Sequence, residues 1–326
     1  MKTFITVLKN NYLRTSPRII LVAVMTVVAL SSTMLAVYLS GLHQVKGRIA
    51  LVMEDSSHTM PEKSEYLKIT VLDKKPPLSA LVEQKYDAFV TLDKGGNYQV
   101  ETLRRAEYKD MLQYLLQNPK AEPPKMGTER GVGVNIIGFM MMFLIMLSFS
   151  NLFVFADDKE LGQLGRVFMA PTSFWGYLAA HVVYCMSLLV PEYILLVILK
   201  LAGRNIGFSL LQYAGLIAVT GFFGISAALL LYVLIQKADN ATMLGNSITV
   251  LATVLSGSFY SFSKNNELLD NIIKIIPQKE LMDFAQHLQD GKGMEHSASI
   301  LYVIAFSLLL FIISCGKLRK MYVRKI

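Results

Sequence analysis

Two stretches of this 326-residue chain carry side chains that could do chemistry, and neither has the spacing of an enzyme active site. In SLLVPEYILLVILK (187–200), Glu192 stands directly after Pro191 inside an otherwise apolar run. It lies toward the outer end of that run, roughly 7 Å from its middle at the rise of an α-helix. A carboxylate at such depth costs a few kcal/mol unless it is protonated, hydrated or paired. Pro191 frees a backbone carbonyl one turn back and kinks the helix. Glu192 therefore reads either as a polar element lining a path across the membrane or as a carboxyl paired with a neighbouring helix. The second stretch, DDKELGQLGRVFMAP (157–171), lies between two strongly apolar runs. Asp157 or Asp158 suits a helix start, where free N–H groups favour an acid, and Pro171 marks the end. Between them Leu161, Leu164 and Phe168 follow an i, i+3, i+7 pattern with Val167 beside them, while Glu160, Gln163 and Arg166 point elsewhere. A connecting turn needs no such pattern. An apolar ridge rimmed with charge is what a helix offers to the groove of a partner.

Other chemistry is missing from the sequence. No GxxxxGK[ST] segment cradles a phosphate, and there is no HExxH, CxxC pair or GxSxG turn. His43, His58, His181, His287 and His296 are scattered, which gives no basis for a metal site. Cys185 and Cys315 both fall inside apolar runs and read as small packing residues. The chain is thus expected to be no enzyme, with no catalytic residue, metal or cofactor of its own.

The elements that must position these residues belong to a bilayer. Hydrophobic residues make up 53% of the chain and charged ones 17%, which no ordinary soluble domain of this size shows. A hydrocarbon core of about 30 Å needs roughly 20 apolar residues. Runs of that length fall at about 19–42, 131–156, 174–199, 208–235, 241–262 and 298–316. The first is longer than a signal-peptide core and is followed by no evident cleavage site, so it is expected to be retained. The formal charge of +8 is concentrated at the ends: the first 18 residues hold four Lys/Arg and no acid, and the tail KLRKMYVRKI holds five and no acid. Such a distribution speaks for topology rather than for nucleic acid. Cationic flanks stay inside, so both termini are expected in the cytoplasm of a plasma-membrane protein, and six spans fit an even count.

This reading gives an all-α polytopic membrane protein of six transmembrane helices with a small α/β extracellular domain inserted between helices 1 and 2. Residues 1–16 set Phe4, Ile5, Leu8, Tyr12 and Leu13 near helical spacing, an amphipathic helix for the inner interface that turns at Pro17 into a first span over 17–42. The external segment, 43–130, holds 14 basic and 13 acidic residues. Strands are expected at 49–53, 66–72, 87–92 and 98–103, with KGGN (94–97) as the hairpin turn, and helices at 76–86 and 104–118. The Pro-rich AEPPKMG (121–127) leads back to a bundle over 131–326. After the fifth run, SGSFYSF interrupts the apolar pattern, and short helices within 264–291 on either side of Pro277 are expected to seal the outer end.

On these residues the chain resembles a known family, the permease subunits of ABC-2 type transporters in the type V exporter class. Members carry a motif of the form E-x-x-x-G-x-x-x-R-x-x-x-x-P between spans two and three. KELGQLGRVFMAPTSFWGYLAAH (159–181) is similar, with Gly162 following Glu160 by two residues rather than four. The amphipathic start, RIALVMEDSS, SGSFYSF and IIPQKELMDFAQHL follow the family's order. The resemblance implies that 157–171 is a coupling helix, with Glu160, Leu161, Gly162, Leu164, Arg166, Phe168 and Pro171 contacting an ATP-binding subunit. It further implies pairing with a second permease, ATP and Mg held by the partner ATPase, lipid around the spans, a bacterial source, and export of a peptide, antibiotic, lipid or ion. Glu192 and Pro191 remain candidates for the translocation path. Two other readings compete: a membrane-anchored secretion or assembly accessory of the phage-infection-protein type without ATP coupling, and a polytopic sensor. The first has no use for a charged helix at 157–171, and the second lacks a cytoplasmic effector module.

Overall fold

A computed structural model describes residues 2–42, 47–53, 66–72, 76–77, 79–83, 85–92, 98–103, 106–119, 131–169, 173–258 and 273–323. The KGGN turn, the 121–127 return, Pro171 and most of the stretch from SGSFYSF to Ile272 lie outside the described residues. The chain divides into two compact units, one of Met1–Val37 with Arg130–Ile326 and one of Tyr38–Glu129.

The first unit is helical. Helix α1 (Lys2–Thr15) passes through a 3-10 turn at Ser16–Arg18, set by Pro17, into α2 (Ile19–Leu42). After the second unit come α5 (Val132–Asn151), α6 (Phe153–Glu160), α7 (Gln163–Met169), α8 (Phe174–Ser187), α9 (Val190–Leu201), α10 (Leu210–Leu234), α11 (Ala238–Leu255), α12 (Pro277–Gln289) and α13 (Ser297–Leu318). A π-helical turn, Arg319–Val323, follows α13. Five helical stretches among the described residues are long and apolar enough to cross a membrane: Thr3–Ser40, Val132–Glu160, Phe174–Leu201, Leu210–Leu234 and Ser297–Tyr322. The remaining expected span coincides in part with α11, whose Asp239, Asn240 and Asn246 lower its mean hydropathy.

Helix α10 sits at the centre, packed against α5 and α13, while α5 also meets α11 and α12. Its register is fixed by small residues. A Cβ added to Gly224 would lie 2.8 Å from Ser148 Oγ and 3.0 Å from the Ile145 backbone, so α5 and α10 approach as closely as their main chains allow. Its N-terminus is closed by a capping box, in which Ser209 Oγ accepts from the Gln212 N–H and the Gln212 side chain accepts from the Ser209 N–H. The short helix α12 opens on Pro277 and buries Leu281, Met282 and Ala285, three residues on one helical face.

The second unit is a four-stranded sheet of order β2-β1-β3-β4, formed by β1 (Gly47–Met53), β2 (Leu67–Leu72), β3 (Ala88–Leu92) and β4 (Tyr98–Glu101). Strand β1 is parallel to both neighbours, aligning Ile49 with Ile69 on one side and Ala88 on the other, and β4 returns antiparallel to β3 with Val90 opposite Val100. Alternation puts Ile49, Leu51 and Val90 under α4 (Ala106–Gln117), where Tyr108, Met111, Leu112 and Leu115 form one stripe. Ala50 and Phe89 face the short α3 (Ser79–Val82) with Ala80 and Leu81. With both sheet faces covered by its own helices, a polypeptide of residues 43–130 is expected to give a mixed α/β circular-dichroism spectrum and a cooperative melt. Leu112→Ala, at a fully buried position, should then lower its stability by about 2–5 kcal/mol.

Candidate functional site

The charged stretch after α5 is a junction: its two aspartates face the arginines that close α1 and the turn after it, while Lys159 and Glu160 hold the ends of α10 and α11. Helix α6 continues the α5 direction past a break at Leu152, and its last turn is Asp157-Asp158-Lys159-Glu160. Asp158 is almost fully buried; its carboxylate accepts from Arg14 Nη1 at 2.5 Å and from the Tyr177 hydroxyl at 2.5 Å. Asp157 lies 3.3 Å from Arg18 and 3.9 Å from Arg14. The Arg18 guanidinium also stands 4.9 Å over the Phe153 ring, a cation–π contact. Lys159 Nζ donates to the carbonyls of Tyr232 and Ile235 at the C-terminal end of α10, and Glu160 Oε2 accepts from the Ala238 N–H at 3.2 Å, at the start of α11. A cation on exposed carbonyls and an acid on an exposed N–H are what helix ends favour.

The expected helix start at Asp157 or Asp158 is therefore corrected. These residues lie inside the closing turn of α6, where no free N–H groups remain to cap, and they serve instead as acceptors for α1. Helix α6 ends at Leu161 and Gly162. Gly162 has φ +68°, the left-handed conformation of a helix C-terminus, and its N–H bonds to the Lys159 carbonyl at 3.1 Å. A new helix, α7, begins one residue later.

This restart changes which side chains face out. Leu164 is fully buried, and the Phe168 ring packs at 5.2 Å from Phe174, 5.6 Å from Tyr177 and 6.0 Å from Tyr322. The expected outward ridge of Leu161, Leu164 and Phe168 is thus corrected: two of its members fill the chain's own core. The outward residues are Glu160, Leu161 (68% exposed), Gly162, Gln163, Arg166 and Met169 (70% exposed). Met169 was not among the expected contacts. Its place two residues before Pro171, in phase with Arg166, was the only sequence signal for it.

Helix α1 is seated by the same neighbourhood. Tyr12 meets Tyr184 edge-on at 5.3 Å and hydrogen-bonds to Ser187, while Thr15 Oγ1 lies 2.5 Å from the Tyr184 hydroxyl. Arg14, Arg18 and Tyr177 are thus structural partners that sequence reading missed. The signal was present: Arg14 and Arg18 are four residues apart and share a face. His181 is buried against Phe155 and Tyr177, its Nδ1 3.0 Å from the Tyr177 carbonyl.

Elsewhere in the unit, Pro191 lies in the first turn of α9 and a two-residue break at Leu188–Leu189 separates α8 from α9. Glu192 is 1% exposed and its Oε2 accepts from Thr33 Oγ1 of α2 at 2.9 Å. The two expected sites do not converge: Glu192 and the 157–169 junction share no contact among the described interactions.

These features define a multi-pass, largely helical membrane protein with a small separate sheet unit and a charged junction that ties its helix ends together. Residues 17–315 match the model of the ABC-2 family transporter proteins, and the chain belongs to that family. It is accordingly a membrane component of a transporter, of a kind that works with an ATP-binding subunit. Comparison with curated proteins found no match.

Proposed function

We propose that this chain is the permease subunit of an ATP-driven exporter, with six spans, both termini in the cytoplasm of a bacterial plasma membrane, and the Tyr38–Glu129 unit outside. It forms the translocation path with a second permease, Pro191 and Glu192 lie along that path, and ATP and Mg are bound by a separate subunit. The carried substance is a peptide, antibiotic, lipid or ion.

One observation carries the coupling role: between two candidate spans, a turn held by four ionic anchors presents Glu160, Leu161, Arg166 and Met169 outward, two large apolar side chains rimmed by charge. Exposed apolar residues on so well-fixed a support suit a contact with another protein. Movement of that turn would be felt at once by α1, α8, α10 and α11, because each is bonded to it. Family membership and the basic termini support the same reading.

Purification from the native membrane should bring down an ATP-binding subunit whose hydrolysis rises in the complex. In whole cells, with Cys185 and Cys315 replaced by alanine, single cysteines at exposed Val82 and Met294 should react with an impermeant thiol reagent, and one at Leu161 should not. Labelling at Leu161 from outside would overturn the orientation and the coupling role together.

A further inference from the structure

We infer that Glu192 is a neutral carboxylic acid in the state described, and that it forms a proton-binding site whose occupancy holds α9 to α2. This deepens the path role proposed for Glu192 and rests on the permease reading only for its consequence in transport.

The site begins with Pro191. Lacking an N–H, it leaves the Ser187 carbonyl without its helical donor, and the helix breaks between Ser187 and Val190. The break places Glu192 in the first turn of α9, its N–H bonded to the Leu189 carbonyl at 3.2 Å, and its side chain enters the protein. Oε2 accepts one hydrogen bond, from Thr33, itself fully buried. Oε1 is buried and has no hydrogen-bond partner among the described residues. One neutral donor is poor compensation for an ionised carboxylate away from water, whereas a protonated carboxyl has no charge to desolvate, so the same single donor leaves a far smaller cost.

Among the described residues no cation answers it. Helix α2 brings only Tyr38 as a titratable group, α5 brings none, and α10 brings Tyr213 and Tyr232, which bond to the carbonyls of Ile206 and Phe149. On its own helix pair, Tyr184 bonds to Thr15, His181 to the Tyr177 carbonyl, and Tyr177 to Asp158. Cys185 is free and buried, and Tyr193 makes no described bond to the carboxyl. Lys200 lies eight residues along α9, roughly 12 Å away at the helical rise. From α1, Lys9 is exposed and Arg14 is held by Asp158. Asp158 shows what this fold does with a carboxylate it keeps charged: it supplies an arginine and a hydroxyl. Among the described residues Glu192 receives a hydroxyl alone.

Loss of the proton leaves an unpaired charge between α2 and α9, which favours water entry and separation of the two helices. The test uses the full-length chain in nanodiscs of neutral lipid, followed by infrared spectroscopy across a pH series. A carboxylic-acid C=O band should be present at neutral pH, disappear at high pH, be absent in Glu192→Gln, and shift to higher frequency in Thr33→Val as its hydrogen bond is lost. Spin labels at exposed Met34 and Ile194 should move apart at high pH in the wild type and stay put in Glu192→Gln. A spectrum without any Glu192-dependent acid band overturns the inference, as does a band that responds to sodium rather than to pH. Neither readout needs ATP or a partner, so its failure leaves the permease reading standing, while an intact band with pH-independent export would remove only the transport consequence.

Discussion

Replacing Arg14 by glutamine is expected to remove most of the folded protein from the membrane. The Asp158 side chain is 7% exposed and is neutralised by Arg14 at 2.5 Å. Without the guanidinium, a buried carboxylate keeps only the Tyr177 hydroxyl, and breaking such a pair from one side costs about 3–5 kcal/mol. That is a large share of the roughly 5–15 kcal/mol by which proteins are stable. Arg18→Gln should do far less. Its side chain is 48% exposed and Asp157 26% exposed, so water screens the pair and the loss should be about 0–1 kcal/mol. Combining Arg14→Gln with Asp158→Asn offers the pocket two neutral amides and should recover much of the stability, because removing both members leaves no unpaired charge. Thermal unfolding of the detergent-solubilised chain, read with its level in membranes, gives the three values needed. If the losses from Arg14→Gln and Asp158→Asn simply add, the two residues are not a functional pair and the junction is not held as described.

How much of this could be read beforehand depends on the range of the interaction. The apolar runs announced helices by length alone, and the short, nearly unbroken apolar runs IALVM and DAFVTL announced strands that are buried on both faces. Pro17 and Pro191 announced breaks where breaks occur. Glu192 stood out because hydrocarbon makes any carboxyl conspicuous, though nothing in its neighbourhood named Thr33, 159 positions earlier. Arg14 and Asp158 are 144 positions apart, and a separation of that kind leaves no local mark. Read as membrane-flanking charge, Arg14 looked sufficient for topology, which concealed its second task.

The error at Leu164 has a more specific cause. An i, i+3, i+7 pattern defines one face only if the helix is continuous, and Gly162 at φ +68° interrupts it. Leu161 then belongs to the end of one helix and Leu164 with Phe168 to the start of another, so their phases are unrelated. Periodicity also says that a face is apolar without saying who covers it. Here Phe174, Tyr177 and Tyr322 cover Phe168 from within the chain.

The consequence is a second large effect, assigned to different residues than the pattern alone would choose. Leu161→Asp and Met169→Asp should each abolish recovery of the ATP-binding subunit while leaving the permease at normal levels in the membrane. Both side chains are more than two-thirds exposed, so an acid there costs the isolated chain within about 0.5 kcal/mol. Once a partner covers the position, the same acid must be desolvated without a counter-charge, a cost of several kcal/mol. Since each 1.4 kcal/mol is tenfold in affinity, loss of binding by two orders of magnitude or more is expected. Arg166→Glu, on the charged rim, should weaken association several-fold, with an effect that fades as salt rises. Leu164→Asp must behave otherwise: at a fully buried position it should lower the amount of folded permease itself, so its loss of partner carries no information about docking. Quantitative pull-down normalised to folded permease, with ATPase activity of the recovered complex, separates the two outcomes. Should Leu161→Asp and Met169→Asp both retain stoichiometric partner and full stimulation, the outward face of the junction is merely solvated. The four ionic anchors would then be explained by the packing of α1, α8, α10 and α11 alone, and coupling would have to be sought on another surface.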